Sequence, residues 1–184
     1  MHDPRHLSCS CGQTQWRIAP KADGTRSICH CRDCASFARH LERHDYLDNG
    51  GTELFQCLPA DVTFDSGQEH LKLLRLSPTG LFRWYAGCCN TPIANTLPKN
   101  LPFAGMILPK GRKDFGRVKY VINGEQAPMP VKDRGVPGAV FSIFKRMALG
   151  MITGRRGSPF WQDAKTPAAE AYVLTKAERK AMQK

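Results

Sequence analysis

The chain has 184 residues, 41% hydrophobic and 23% charged, with 8 Cys, 13 Pro and 16 Gly. That is globular composition at a length suiting one domain or one domain plus an appendage, enough to bury a core without covalent staples. No run approaches the ~20 uninterrupted apolar residues of a membrane-spanning helix, and no apolar stretch follows Met1–His6, so neither an integral membrane protein nor a secreted disulfide mini-protein is expected.

The net charge of +11 is unevenly placed: residues 110–184 hold 16 Lys and Arg against 6 Asp and Glu, whereas residues 1–109 hold 11 against 10. Such asymmetry suits a nucleic-acid, membrane-surface or anionic-substrate face, or a solvated basic surface with no dedicated partner.

Residues 7–18 are strand-like around Cys9-Ser10-Cys11-Gly12, and a second short strand is predicted over 25–29. After Cys29-His30-Cys31-Arg32-Asp33-Cys34, the residues Cys34, Phe37, Ala38 and Leu41 fall at i, i+3, i+4 and i+7, one face of a helix. Asn49-Gly50-Gly51 marks a turn. Short strands are then expected at 53–57, 62–65, 71–76, 81–85, 93–97 and 103–108, separated by breakers such as Pro59, Ser66-Gly67, Ser77-Pro78 and Pro98. This spacing predicts a mainly β domain of small antiparallel sheets over residues 1–108.

Residues 109–184 form a basic loop and helix extension expected to pack on that domain. Gly, Pro and Lys/Arg dominate 109–138, with one strand at 117–122. A helix over 139–152 carries an apolar stripe of Val140, Ile143, Phe144, Met147, Ala148, Met151 and Ile152, with Lys145 and Arg146 off it. A basic amphipathic helix can lie on a membrane surface, but packing of the stripe on the β domain is the favoured expectation. A short charged helix closes the chain, with Thr175 as N-cap and Glu178 completing a capping box.

All eight cysteines lie between Cys9 and Cys89. With no signal peptide expected, the compartment is cytoplasmic and reducing, where clustered cysteines bind metal more often than they form disulfides. A disulfide within a C-x-C pair would also close a strained ring, and the spacings do not match those of iron–sulfur proteins. Cys29, Cys31 and Cys34 put three thiols within six residues, so they can wrap one Zn²⁺ and leave its fourth position open, the pattern of a catalytic site. Cys9 and Cys11, with Cys88-Cys89 as distant partners, would pin two strands together as a structural zinc site. Cys57 lies alone in a strand-like run and reads as a buried core residue. His30 is a candidate acid/base or supporting group at the three-cysteine loop. His40 and His44, four apart, read as surface residues, and Asp33 as a helix-start residue.

Cys9-Ser10-Cys11-Gly12, Cys29-His30-Cys31-Arg32-Asp33-Cys34 and Arg83-Trp84-Tyr85-Ala86-Gly87-Cys88-Cys89-Asn90-Thr91-Pro92-Ile93 occur in one order. Together they resemble the glutathione-dependent formaldehyde-activating enzyme family, also called the centromere protein V-like family, over about residues 7–108. The resemblance implies an Mss4-like, zinc-containing fold and two zinc ions, the catalytic one on Cys29, Cys31 and Cys34 and the structural one involving Cys9, Cys11 and Cys89. It implies a carbon–sulfur lyase-type activity joining a small thiol such as glutathione to a small carbonyl such as formaldehyde, with Arg32 and Arg39 as candidates for holding an anionic thiol.

Two departures stand out. The family's C-x-x-C-G ending has Ala86 at its first cysteine and Asn90 at its glycine. Cys88 can replace the lost ligand, or close the other zinc as a fourth thiolate, or stand aside from a three-ligand site completed by water. The basic extension, residues 109–184, is longer than the family core needs and resembles the tail of an uncharacterised branch of the superfamily. The rival reading is a non-catalytic zinc module whose basic C-terminal region contacts nucleic acid, an anionic membrane or a protein. No nucleic-acid motif is present, and the aromatics do not interleave with the basic run.

Overall fold

Short strands separated by turns dominate the structure, a computed structural model that describes Asp3 and residues 5–182. Met1, His2 and Pro4, in the segment read above for a signal, and Gln183 and Lys184, at the end of the last expected helix, lie outside the described residues. The strands are β1 (Arg5–Ser8), β2 (Gln15–Ile18), β3 (Thr25–Cys29), β4 (Leu47–Asp48), β5 (Gly51–Cys57), β6 (Val62–Ser66), β7 (Leu71–Arg75), β8 (Phe82–Ala86), β9 (Thr91–Thr96), β10 (Ala104–Ile107), β11 (Tyr120–Ile122) and β12 (Ala171–Val173). The helices are α1 (Arg32–His40), α2 (Val136–Ile152) and α3 (Lys176–Met182). The chain is therefore mainly β with a few helices, one of them at the C-terminal end. None of the described helices is long and apolar enough to cross a membrane.

A three-stranded antiparallel sheet runs β1-β2-β6, and a nine-stranded sheet runs β11-β3-β5-β10-β9-β8-β7-β12 with β4 beside β5. The outermost strands of the large sheet, β11 on β3 and β12 on β7, pair in parallel, and both come from residues 109–184. That segment adds more than loop and helix: its strands cover both edges of the sheet, whose unpaired backbone groups would otherwise be exposed.

Strand alternation gives the large sheet two different faces. Phe55, Met106, Trp84 and Leu73 point toward the small sheet and meet Leu7, Trp16, Ile18 and Val62 in one core, joined by Phe160. Trp16 and Trp84 are among the largest fully buried side chains, and truncating either is expected to cost about 3–5 kcal/mol. Leu54, Ile107 and Leu74 point the other way, into a second core with Phe37 of α1, Leu41 at its C-terminal cap, and Leu174. The register sets a row of paired residues across this second face: Arg83 opposite Asn95, Asn95 opposite Gly105, Gly105 opposite Gln56, and Gln56 opposite Thr25. Its polar side chains lie inside the molecule, beneath the helices.

Helix α2 packs on the β domain but buries only part of its expected apolar stripe. Its buried line is Ala139, Arg146, Met147 and Gly150, whereas Val140 and Phe144, in the middle of the apolar stripe, and Ile152 are exposed. Gly150 explains the choice of face. A Cβ there would lie 2.9 Å from Leu58, so the bare backbone lets the helix approach closely at that point. The capping box forms as expected: the Glu178 N–H donates to Thr175 Oγ1 at 3.2 Å, and the Thr175 N–H donates to Glu178 Oε2 at 2.7 Å.

Candidate metal centres and the adjoining cavity

Cys9 follows β1 and opens a tight turn, closed by the Gly12 N–H on the Cys9 carbonyl and by Gly12 at φ 78°. The turn between β8 and β9 presents Cys88 and Cys89 beside it. Four thiols come together there, with Sγ–Sγ distances of 3.5 Å for Cys9–Cys11, 3.8 Å for Cys9–Cys88, 3.4 Å for Cys11–Cys88 and 3.8 Å for Cys88–Cys89. Four sulfurs ~2.3 Å from one tetrahedral ion stand ~3.8 Å apart, so the group could hold a metal ion without rearranging its backbone. Cys88 thus stands with Cys9 and Cys11, apart from Cys29, Cys31 and Cys34. The two changes to the C-x-x-C-G ending lie at this turn, Ala86 as the last residue of β8 and Asn90 just before β9. Ala86 is fully buried in the core, and Asn90 adopts φ 55°, a left-handed conformation that asparagine tolerates better than most residues.

One polar contact orders the first turn and another joins it to the start of β9. The Thr14 N–H donates to Cys9 Sγ at 3.2 Å. Arg43, which sequence reasoning passed over, donates through Nη1 to Thr91 Oγ1 at 2.7 Å and to Ser10 Oγ at 3.2 Å. Although burial works against the charged form, hydrogen bonds from Ser10 and Thr91 bring the Cys89 thiol down to about 5.

The second group spans the junction of β3 and α1. Cys29 is the last residue of β3, Cys31 is the N-cap of α1, and Cys34 lies in its first turn, with the Cys34 N–H donating to the Cys31 carbonyl at 3.0 Å. Their sulfurs lie within 4.8 Å of one another, and the four-thiol group meets the same limit. The Cys31 thiol and burial push Cys29 up to about 11, and the Cys29 thiol and burial push Cys34 up to about 12. Three thiols this close resist ionising together, and a bound cation supplies the charge that lets them do so. The helix N-terminus favours negative charge at the same place. Asn123, at φ 58°, directs its Nδ2 to Cys29 Sγ at 3.7 Å.

The three-thiol group forms part of the wall of a cavity of about 490 Å³. Leu54, Ile122, Phe103 and Ile143 make apolar walls, and Arg83, Asn95, Gly105 and Gln56 bring the polar row of the sheet to the same space. Arg83 Nη1 donates to Asn95 Oδ1 at 3.0 Å and no carboxylate among the described residues pairs with it, although the residue is only 3% exposed. Among the described residues its Nε, the Nε of Arg75 and Gln56 Oε1 lack a hydrogen-bond partner, although half-buried Arg75 donates through Nη2 to the Gly80 carbonyl at 3.0 Å, and all three residues line this cavity. Buried arginines are ordinarily paired, so acceptors supplied from the cavity would complete them. Asp33, read as a helix-start residue, also lines the cavity.

Other expected site residues fall elsewhere. Arg32 and Arg39 are exposed and outside the cavity lining. His30 is buried, with Nδ1 3.2 Å from the Asn49 carbonyl, and it packs against Gly51 rather than facing the thiols. His40 and His44 are exposed, and Cys57 is buried in the core, as expected. The signal that could have found Arg83 was present: a lone cation inside the apolar run Phe82-Arg83-Trp84 of a strand expected to be buried.

No curated protein matches the chain. A crystal structure of a Rhodobacter sphaeroides protein is similar at 21% identity and a TM-score of 0.39, over 61% of this chain and 96% of that one. A family model matches residues 1–171, and the chain therefore belongs to the family of unknown function DUF6151.

Proposed function

We propose that the protein is a zinc-dependent enzyme of the carbon–sulfur lyase type, adding a small anionic thiol to a small carbonyl or releasing it. The reading rests on the sequence resemblance to the glutathione-dependent formaldehyde-activating enzymes and their Mss4-like fold. The observation that carries it further is the placing of a three-thiol group in the wall of a cavity whose lining includes Arg83 and Arg75, neither of which has a carboxylate partner among the described residues. Cys29, Cys31 and Cys34 would hold the reactive zinc, while Cys9, Cys11, Cys88 and Cys89 would hold a structural one. Zinc bound to three thiolates supplies a fourth position at which a thiol loses its proton more readily.

The chain's own residues supply the rest. Arg83 and Arg75 pair with the substrate's carboxylate, and Asn95 and Gln56 hold its amide or hydroxyl groups. Leu54, Ile122 and Phe103 limit water. In the synthetic direction a sulfur–carbon bond forms, the carbonyl π bond opens, and the thiol proton ends on the new hydroxyl, so nothing is oxidised or reduced. Asp33 is the carboxylate placed to carry that proton.

The test combines elemental analysis with exchange spectroscopy of glutathione and formaldehyde. Two zincs per chain and accelerated exchange, lost in Cys31→Ser, are expected. Stoichiometric zinc with no acceleration for any anionic thiol and small aldehyde would sink the enzymatic reading.

A further inference from the structure

We infer a second ligand site, unconnected to the thiols: the basic cavity between the start of β3, the 115–119 loop and α2 binds a small phosphate-bearing molecule. The cavity measures about 400 Å³, within the ~300–1,000 Å³ of small-molecule sites. It shares no lining residue with the cavity beside Cys29.

Five of its lining residues are cations. Arg26 is already committed, donating from Nε and Nη2 to Glu53 Oε2 at 2.9 and 2.5 Å and from Nη1 to the Gly116 carbonyl at 2.7 Å. Arg117, Lys119, Lys145 and Arg146 remain, against one lining carboxylate, Asp23.

Arg146 is the anchor. It is 6% exposed, and its Nη2 donates to Thr25 Oγ1 at 3.0 Å, which fixes the guanidinium. Its Nε is buried without a hydrogen-bond partner among the described residues. The Asp23 carboxylate stands 3.6 Å away, on a side chain 74% exposed, too remote and too solvated to satisfy it. A buried guanidinium whose Nε meets only an exposed carboxylate at 3.6 Å, with three further cations in the same lining, is weakly compensated, and a ligand entering the cavity can bring a closer anionic acceptor.

A phosphate matches this arrangement better than a monocarboxylate. It brings close to two negative charges and three acceptor oxygens, enough for the planar arginine fork and one or two lysine ammonium groups together. The remaining volume, with the Phe115 ring and the bare backbone of Gly24 and Gly116 in its lining, accommodates an organic group attached to the phosphate. Apart from Arg26, every cation of the site comes from residues 110–184, so the site gives part of the basic excess in that segment a specific use.

The test is calorimetric titration of the full chain with inorganic phosphate at physiological ionic strength, with acetate as the monocarboxylate comparison. Saturable one-site binding of phosphate is expected, with acetate about tenfold weaker or worse. Lys119→Ser/Lys145→Ser is expected to weaken phosphate about tenfold, while Lys176→Ser/Lys180→Ser, which removes the same charge from exposed positions of α3, changes it less than about twofold. Arg146→Met should abolish binding, and if that variant does not fold the two lysine pairs still decide. Equal weakening by both pairs would show a diffuse surface field and overturn the proposal. So would equal affinity for acetate, or no saturation at millimolar phosphate.

Discussion

Cys9, Cys11, Cys88 and Cys89 join two turns from distant parts of the chain, whereas Cys29, Cys31 and Cys34 join the end of one strand to the helix that follows it. In the first group the sulfurs of Cys9 and Cys88 are 79 residues apart in sequence, and four thiols fill the coordination of a tetrahedral ion. In the second, three thiols close a loop of a few residues and face a cavity. Closing the long loop removes ~2 kcal/mol more chain entropy from the unfolded state than closing the short one. In the proposed reading the same side chain serves two ends: ligand number and loop length would make the first group a staple, and an open fourth position beside a cavity would suit the second to chemistry.

Substitution at the staple is the most severe way to break this comparison. Cys9→Ser is expected to lower stability by about 3–5 kcal/mol, similar to losing a native disulfide, and to remove one metal equivalent. Scanning calorimetry with metal analysis checks it, and an unchanged melting temperature would remove the structural role. Cys31→Ser should also lose one equivalent, but at a stability cost of about 1–2 kcal/mol and with complete loss of thiol–carbonyl activity. If both metals leave together in either variant, the two groups are not independent and the comparison fails.

Arg83→Met sharpens the chemical half of the contrast. The variant removes a buried cation that lacks a carboxylate partner, so stability should stay within about 1 kcal/mol of the parent, the unpaired Asn95 Oδ1 offsetting the relief. Turnover of an anionic thiol should fall by about 10²-fold, mostly through KM, while an uncharged thiol is little affected. Equal losses for charged and uncharged thiols would mean that Arg83 supports the thiols electrostatically and does not hold substrate. Metal content should not change.

Much of this was legible in the sequence because it is local. Cys29, Cys31 and Cys34 are close in space because they are close in the chain, and Thr175 and Glu178 form their capping box within one turn. The strands followed from breakers such as Ser66-Gly67 and Pro98. What the sequence could not display was register. Arg83, Asn95 and Gln56 share a cavity because three strand pairings align them across the sheet, and no spacing along the chain encodes that row. The same holds for Cys88: proximity in sequence left three roles open, and the β8–β9 turn places it with Cys9 and Cys11. Helix α2 packs on the β domain, but hydrophobicity alone does not set its exact face: Met147 of the apolar stripe is buried, while close approach at Gly150 and the hydrogen bond from Arg146 to Thr25 leave Val140, Phe144 and Ile152 outside.

The smallest expected effect lies in α3, which touches one thiol group's surroundings and not the other's. The Met182 carbonyl accepts from Ser36 Oγ of α1 at 3.3 Å, Met182 packs against the core that contains Cys34, and Arg179 pairs with Asp33 at 3.4 Å. Thr175→Ala removes the cap that starts α3 and should cost about 0.5–1 kcal/mol, seen as faster amide exchange in that helix. Because α3 braces the helix that carries Cys34, metal should leave the three-thiol group a few-fold faster when a chelator is added, with loss from the four-thiol group unchanged. Equal acceleration at both groups would mean that the metals respond to global opening, and the division between a staple and an open site would then have no dynamic counterpart. Unchanged release at both would show that α1 holds Cys34 without help from the C-terminal segment, leaving β11 and β12 as that segment's contribution to the sheet that carries the site.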